Sequence, residues 1–351
     1  MCSKHKRALR ATTARFNNIV PLPVAVLGAG SWGTALALQL ARNDQAVRLW
    51  GHNPEHLSQL RKDHENNRHL PGIAFPGNIE VMDELSQVLT GVGDIVIVVP
   101  SHAFSDLLQK IKPFVTPDTG LCWATKGLDP QTGQFMHQLI AQKLGSEIPI
   151  AILSGPSFAK ELAMELPTAV SVASSSPEYC ERISQRFHSA RFRVYTNRDV
   201  IGVEIGGAVK NIMAIAAGIS DGFQFGANAR AALITRGLHE IIRFGKALGA
   251  EEETLIGLSG MGDLVLTCTG DLSRNRQMGL LLAEGLSVEE AERRIGQAVE
   301  GVKAVRLIHQ KAKENRVDMP ICQEVFQILF HGKSPQQAVA NLLSREAKAE
   351  R

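Results

Sequence analysis

The sequence predicts an α/β N-terminal domain built on a parallel sheet, followed by an all-α C-terminal domain. Three observations carry this. The apolar run Val24-Ala25-Val26-Leu27 is joined to the helical stretch Thr34–Ala41 by a glycine-rich turn. Apolar runs of strand length, of which Ile95-Val96-Ile97-Val98-Val99 is the clearest, recur up to Tyr195. Beyond Asp199 the apolar period changes from that of strands to that of helices.

The turn Gly28-Ala29-Gly30-Ser31-Trp32-Gly33 reads GxGxxG. Gly28 suits a tight turn, Gly30 the approach of a pyrophosphate to the backbone, and Gly33 close packing of helix on strand. The pattern alone is common. Between a strand and a helix it predicts a Rossmann-type NAD(P)-binding domain, here over 21–200, with the pyrophosphate on the helix N-terminus. Residues 201–351 then form the helical substrate domain.

A chain of 351 residues fits two domains with a cleft between them. Its 44% hydrophobic and 21% charged content is that of a globular protein, and no continuous apolar run approaches the ~20 residues of a membrane span. Lys4, Lys6, Arg7, Arg10 and Arg15, which precede the first acid, Asp44, carry more than the whole +3 charge and leave the rest of the chain slightly negative. The near-neutral remainder offers no basic stripe for nucleic acid. Residues 1–20 are read as a disordered basic extension rather than a transit peptide, because their apolar residues show no helical face. Five scattered cysteines, with no secretory apolar segment, predict free thiols in the cytoplasm.

In chain order, Ala46–Trp50 reads as the second strand and ends at Gly51-His52-Asn53. NAD-specific folds carry an acid at this tip; its absence here means that NADPH is not repelled. His52 and His56 have helical metal-ligand spacing, but Pro54 lies between them and no third ligand is evident, so no metal is expected. His64–Asn78, with two prolines and two glycines, reads as a long loop. The strand ending at Pro100-Ser101-His102 and the strand Leu121–Ala124, followed by Thr125-Lys126-Gly127, direct attention to the loops at their carboxyl ends. Ile150–Leu153 leads into Ser154-Gly155-Pro156-Ser157-Phe158-Ala159, a turn into a helix that suits an anion, where Ser157 can also be the helix cap. Thr168–Val172 and Arg193–Tyr195 are further strands flanking a helix over 177–188.

The stretch Val203–Gly218 is apolar nearly all round and predicts a buried helix with Lys210 as its one cation. Buried lysine needs a partner and has a lowered pKa, which suits proton transfer; a snorkelling lysine is the alternative. Asp263, a lone acid in Leu258-Ser259-Gly260-Met261-Gly262-Asp263-Leu264, is either a helix cap or that partner. Ser273-Arg274-Asn275-Arg276 at a helix start suits a phosphate ester. Ser287 and Ser334 open helices with capping boxes, and Glu300 begins another, facing a cofactor or the helix dipole.

Taken together, Gly28–Gly33, Ala124–Leu128, Ser154–Ala159, Gly206–Asn211, Gly260–Leu264, Ser273–Arg276 and Val299-Glu300-Gly301, in this order, resemble the bacterial NAD(P)-dependent sn-glycerol-3-phosphate dehydrogenases. The resemblance runs from about Val24 to the last helix. It implies interconversion of dihydroxyacetone phosphate and sn-glycerol 3-phosphate for glycerophospholipid synthesis, with NADH or NADPH. It further implies that Lys210 is the proton donor and acceptor, with Lys126, Gly155, Ser157, Asp263, Ser273, Arg274 and Asn275 around the substrate. Around the cofactor it puts Gly28, Gly30, Ser31, Trp32, Gly33, His52, Lys126, Ala159, Arg274, Ala298 and Glu300. Asn211 and Thr267 match positions that touch substrate in eukaryotic relatives. It implies a cytoplasmic enzyme without membrane insertion, and a homodimer is one option for its assembly. The alternatives are a β-hydroxyacid dehydrogenase, against which Ser273-Arg274-Asn275 argues for phosphate, and a non-catalytic dinucleotide sensor, against which Lys126 and Lys210 argue.

Overall fold

A computed structural model describes residues 22–297 and 299–345, so the basic extension and Ala298 lie outside the described residues. The first part alternates strands β1 (Val24–Leu27), β2 (Val47–Trp50), β3 (Glu65–Asn66), β4 (Leu70–Ala74), β5 (Ile79–Val81), β6 (Asp94–Ile97), β7 (Gly120–Trp123), β8 (Ile150–Ser154), β9 (Thr168–Ala173) and β10 (Phe192–Asn197) with helices. These helices are α1 (Ser31–Arg42), α2 (Pro54–Asp63), α3 (Leu85–Leu89), α4 (Ser101–Ile111), α5 (Met136–Leu144), α6 (Ala159–Ala163) and α7 (Pro177–Phe187). Eight strands form one sheet in the order β10-β9-β8-β7-β6-β1-β2-β5. All neighbours are parallel except β8 and β9, so β9 and β10 run against the rest.

From β1 the chain moves outward to β2 and β5, then returns to the other side of β1 as β6. That reversal opens a crevice at the carboxyl ends of β1 and β6, where the Gly28 turn lies. Apolar residues cover both sheet faces: Val24 and Val26 pack with α1 and α7, while Ala25 and Leu27 pack with α4 and α5. Alternate residues of one buried strand thus serve two cores.

The span 64–78 departs from the loop that its prolines and glycines predict. β3 and β4 pair there as a short antiparallel hairpin. Pro71 and Gly72 argue against a central strand, but a two-stranded hairpin is all edge and tolerates them.

The second part is helical: α8 (Val200–Gly222), α9 (Gly226–Ala247), α10 (Glu252–Leu255), a π-helical turn at Leu258–Gly262, α11 (Asp263–Thr269), α12 (Arg274–Ala283), α13 (Val288–Ile295), α14 (Glu300–Glu314), α15 (Pro320–His331) and α16 (Pro335–Leu343). Asp199 caps α8, accepting from the Gly202 N–H at 2.7 Å. α8 is the axis of this part, with α9, α11, α12 and α14 packed around it. The helix is longer than its apolar core suggests: it spans 23 residues, with a mean hydropathy of 1.5 in its most apolar window, enough to cross a bilayer by length and composition. Here 83% of that window is buried among the other helices, so its apolar surface is already covered by protein. Cys122, Cys180, Cys268 and Cys322 are free and buried.

Candidate active site

The glycine turn has the shape its spacing predicts. A Cβ on Gly28 would lie 2.2 Å from the Val98 carbonyl oxygen, and one on Gly33 would lie 1.8 Å from the Gly28 oxygen. Both positions therefore exclude any side chain. Around Gly30 there is nothing within 4 Å of such an atom, which is open space at the first turn of α1. With no acid in that turn, the free amides and open cradle fit a dinucleotide's pyrophosphate.

The hairpin holds this turn from above. Asn66, fully buried, donates to the Ala29 oxygen at 3.0 Å and to Thr34 Oγ1 at 2.7 Å. Ser31 Oγ donates to the His69 oxygen at 2.9 Å, so this hydroxyl is committed to the hairpin. Sequence reasoning missed both contacts because it took this segment for a loop. Trp32 and Ala159 pack half-buried against the core beside the sheet.

His52 is exposed at the end of β2, and Asn53 caps α2 by accepting from the His56 N–H at 2.9 Å. His56 turns its ring to the Ala29 oxygen, 3.2 Å from Nε2. Two of the cations near this tip are engaged elsewhere. Arg48 donates to the Thr90 oxygen at 2.6 Å, and Arg61 pairs with Asp83 at 2.8 Å.

Across the crevice, Lys126, Lys210, Asp263 and Thr267 form one network. Asp263, 1% exposed, accepts from Lys126 Nζ on Oδ2 at 2.6 Å and from Lys210 Nζ on Oδ1. Lys210, 6% exposed, also donates to Thr267 Oγ1 at 2.9 Å. Thr267 in turn donates to the Asp263 carbonyl at 2.6 Å, which leaves its oxygen to accept from Lys210.

Local structure explains the convergence. Thr125 Oγ1 donates to the Val99 oxygen at 2.7 Å, tying the loop after β7 to the end of β6. The π-helical turn lies directly on α8, where a Cβ on Gly206 would meet the Ser259 oxygen at 2.4 Å. Asp263 follows that turn and so arrives one helical turn from Gly206, beside Lys210.

Burial lowers the Lys210 ammonium to about 7; Asp263 pulls it up, and Lys126 pushes it down. Burial alone would raise the Asp263 carboxyl, but the two ammonium groups outweigh it and hold it below the ordinary carboxylate value. One carboxylate between two cations leaves a net positive site, suited to an anionic substrate.

Ser273 caps α12, its Oγ accepting from the Arg276 N–H at 3.2 Å, and Arg274 reaches Gln297 Oε1 at 3.2 Å. Asn275 lies between Asn211 and Gly301. Glu300, half-buried at the start of α14, has a carboxyl raised by burial against the fields of Arg274, Lys126, Lys303 and Lys210. The bond of the Gly301 N–H to Asn275 and the contact of Lys303 with His102 bring the start of α14 to the same crevice. Ser157 differs from the cap expected of it: α6 has only five residues, its N-cap is Phe158, and Ser157 Oγ donates back to the Gly155 oxygen at 2.9 Å. Ser101 is buried at the start of α4, and His102 meets Lys303 Nζ at 3.3 Å across the crevice.

The family model described as NAD-dependent glycerol-3-phosphate dehydrogenase N-terminus matches residues 23–180, and the one described as its C-terminus matches residues 199–340. A glycerol-3-phosphate dehydrogenase [NAD(P)+] of Thioalkalivibrio sulfidiphilus is 54% identical over 328 residues, covering 93% of this chain and 98% of that one. One from Pasteurella multocida is 50% identical over 329 residues, with the same coverage. The crystal structure of glycerol-3-phosphate dehydrogenase from Coxiella burnetii superposes with a TM-score of 0.90 at 49% identity, covering 93% of this chain and 100% of that one. The yeast enzyme gives 0.81 at 28% identity, with equal coverage. With both halves matched by family models and relatives near half-identical over nearly full length, the chain belongs to the NAD-dependent glycerol-3-phosphate dehydrogenase family.

Proposed function

We propose that this protein interconverts dihydroxyacetone phosphate and sn-glycerol 3-phosphate with NADH or NADPH, supplying glycerol 3-phosphate for glycerophospholipid synthesis. The observation that carries the proposal is the Lys126–Asp263–Lys210 network opposite the glycine turn. Residues 21–200 would hold the dinucleotide, through Gly28, Gly30, Ser31, Trp32, Gly33, His52 and Ala159. Lys126, Arg274 and Glu300 would meet it from the far side, and so would Ala298, which is outside the described residues. Residues 201–351 would hold most of the substrate.

When bound, the nicotinamide supplies or accepts the hydride at the substrate carbon. Lys210 handles the proton. In reduction its Nζ gives a proton to the carbonyl oxygen, and in oxidation the neutral amine takes the proton from the hydroxyl. An ammonium lowered to about 7 can do both near neutrality. Lys126 steadies negative charge developing on that oxygen, and Asp263 keeps the two ammonium groups together. Thr267 fixes the direction of Lys210. Ser273 and Arg274 are assigned to the phosphate, and Gly155 and Ser157 to the rest of the substrate.

Both substrates are small molecules, and we infer a cytoplasmic enzyme from the family resemblance; the covered apolar surface of α8 supports its not inserting in a membrane. A homodimer is the proposed assembly, with the exposed Phe225 and Leu272 as apolar candidates for contact. Sedimentation returning the monomer mass would remove that part. The activity itself is tested by following NADH and NADPH oxidation with dihydroxyacetone phosphate. Turnover with this ketone, and much weaker turnover with a β-keto acid, is expected; the reverse order would overturn the proposal.

A further inference from the structure

Lys126 stands at the root of a closed arm between β7 and α5. Leu128 and Phe135 face each other as an antiparallel bridge, and between them Asp129, 1% exposed, accepts from the Thr132 N–H at 2.9 Å and from Thr132 Oγ1 at 2.7 Å. Leu128 and Phe135 are buried in the same core as Ile205 and Val209 of α8. The arm belongs to the sheet domain by sequence and to the helical domain by packing.

Glu204 of α8, 3% exposed, closes the far end of this arm. Its Oε1 accepts from the backbone N–H of His137 at 3.2 Å, and its Oε2 pairs with Nδ1 of the same residue. His137 is the second residue of α5, so the carboxylate takes up one of the free N–H groups in that helix's first turn. A carboxylate so deeply buried costs stability unless it is well bonded, and these bonds join the two domains. The stem of Lys126 is less firmly held. It passes over Gly207, one turn along α8 from Glu204, where an added Cβ would still lie 3.6 Å from Lys126 Cγ and 3.2 Å from Ser154 Oγ. That Ser154 hydroxyl is buried without a hydrogen-bond partner among the described residues, beside a gap lined by Lys126, Glu204 and Gly207. Packing on α8 therefore does not fix the stem, and the anchors of the arm have to.

We propose that Glu204 is a positioning residue for Lys126: by holding the start of α5 on α8 it keeps the arm in place, and with it the Lys126 ammonium on Asp263 Oδ2. This rests on the reading of Lys126 as the group that steadies the substrate oxygen in the proposed reaction. The effect extends to Lys210, because the Lys126 charge is one of those that lower the Lys210 ammonium. Lys210 faces Asp263 and Thr267 directly, with Cys268 and Glu300 inside the reach of its charge, and none of these is bonded to Glu204. The sign separates two routes. Removing the Glu204 charge would by itself lower the Lys210 pKa, whereas releasing Lys126 from the site raises it.

A double-mutant cycle with pH profiles tests this. Glu204→Met, which fills the space without an acceptor, Lys126→Met and the double variant are compared in kcat/KM for dihydroxyacetone phosphate and in the pH profile of its reduction. NADPH dissociation is measured by fluorescence on each. Glu204→Met is expected to bind NADPH like the parent, to lose about tenfold or more in kcat/KM, and to move the inflection to higher pH, as Lys126→Met should. The double should lose no more than about threefold beyond Lys126→Met. Glu204→Gln removes the charge but keeps an oxygen for the His137 N–H and can donate to the neutral ring, so it should stay within about threefold of the parent with its inflection unmoved. Glu204→Ala serves if the methionine variant does not fold. A loss with the inflection unmoved or lowered, or multiplicative losses in the double, would overturn the positioning role. If Lys126→Met itself stayed within about threefold of the parent, the reading of Lys126 would fail first, and the proposal with it.

Discussion

Lys210 and Asp263 come from two helices 53 residues apart in sequence and meet in a buried hydrogen bond, with Lys126 on the other oxygen of the same carboxylate. The two lysines are thus linked through one acid, and the titration of Lys210 depends on it. Ketone reduction needs protonated Lys210 and is expected to fall as pH rises through about 7; alcohol oxidation needs the neutral amine and should rise over the same range. Asp263 raises the Lys210 pKa, so Asp263→Asn should move both inflections to lower pH and reduce turnover. Rate profiles for the two directions measure this. An inflection unmoved in the variant would remove Asp263 from the account.

The protein is expected to use NADPH as well as NADH. The tip of β2 carries Gly51-His52-Asn53 in place of an acid, so a 2′-phosphate meets no carboxylate there. Arg48 and Arg61 are held elsewhere, so no strong preference for NADPH is expected from them either. Catalytic efficiencies with the two cofactors at fixed ketone should differ by less than about a hundredfold, or ~2.7 kcal/mol.

Arg274→Lys should cost about 2 kcal/mol or more in kcat/KM for dihydroxyacetone phosphate, because a point charge replaces a fork that can bond two phosphate oxygens. The parent should use unphosphorylated dihydroxyacetone poorly. Equal use of the two ketones by the parent would refute the phosphate assignment.

Glu240 gives a prediction about stability rather than chemistry. It is 1% exposed in α9 and accepts from the backbone N–H groups of Ile321 at 2.6 Å and Cys322 at 3.2 Å, capping α15 from a neighbouring helix. Burial raises its carboxyl to about 7, against the pull of those two N–H groups. A carboxyl raised on folding binds more protons in the folded state between its two pKa values. Stability should therefore fall as pH rises from about 4.5 to about 7, by an amount of order 3 kcal/mol. Glu240→Gln should flatten that slope. Denaturant midpoints for both proteins at pH 5 and pH 8 check it, and equal slopes would contradict the assignment.

Much of the fold was legible because buried parallel strands are continuous apolar runs and a long buried helix is apolar all round. Ile95–Val99 and Val203–Gly218 announce themselves in this way. The β3–β4 hairpin did not, since Pro71 and Gly72 mark loops more often than strands, and its role in holding Ala29 depends on one buried asparagine. The reversed direction of β9 leaves no trace in a strand's composition. Within the site, Lys210 and Asp263 could be matched because a buried cation needs an acid. Thr267 came only from family resemblance, and the path from Gly301 through Asn275 to Asn211 requires knowing which amide atom faces which neighbour.

The central claim, that Lys210 moves the proton, is tested most directly by Lys210→Met. Methionine keeps much of the length and apolar stem in the core of α8 but carries neither proton nor charge. Cofactor binding by fluorescence and steady-state turnover with dihydroxyacetone phosphate are measured on the same preparation. The account predicts cofactor binding like the parent and a loss of at least ~10²-fold in turnover. Turnover within about tenfold of the parent, with cofactor still bound, would contradict it.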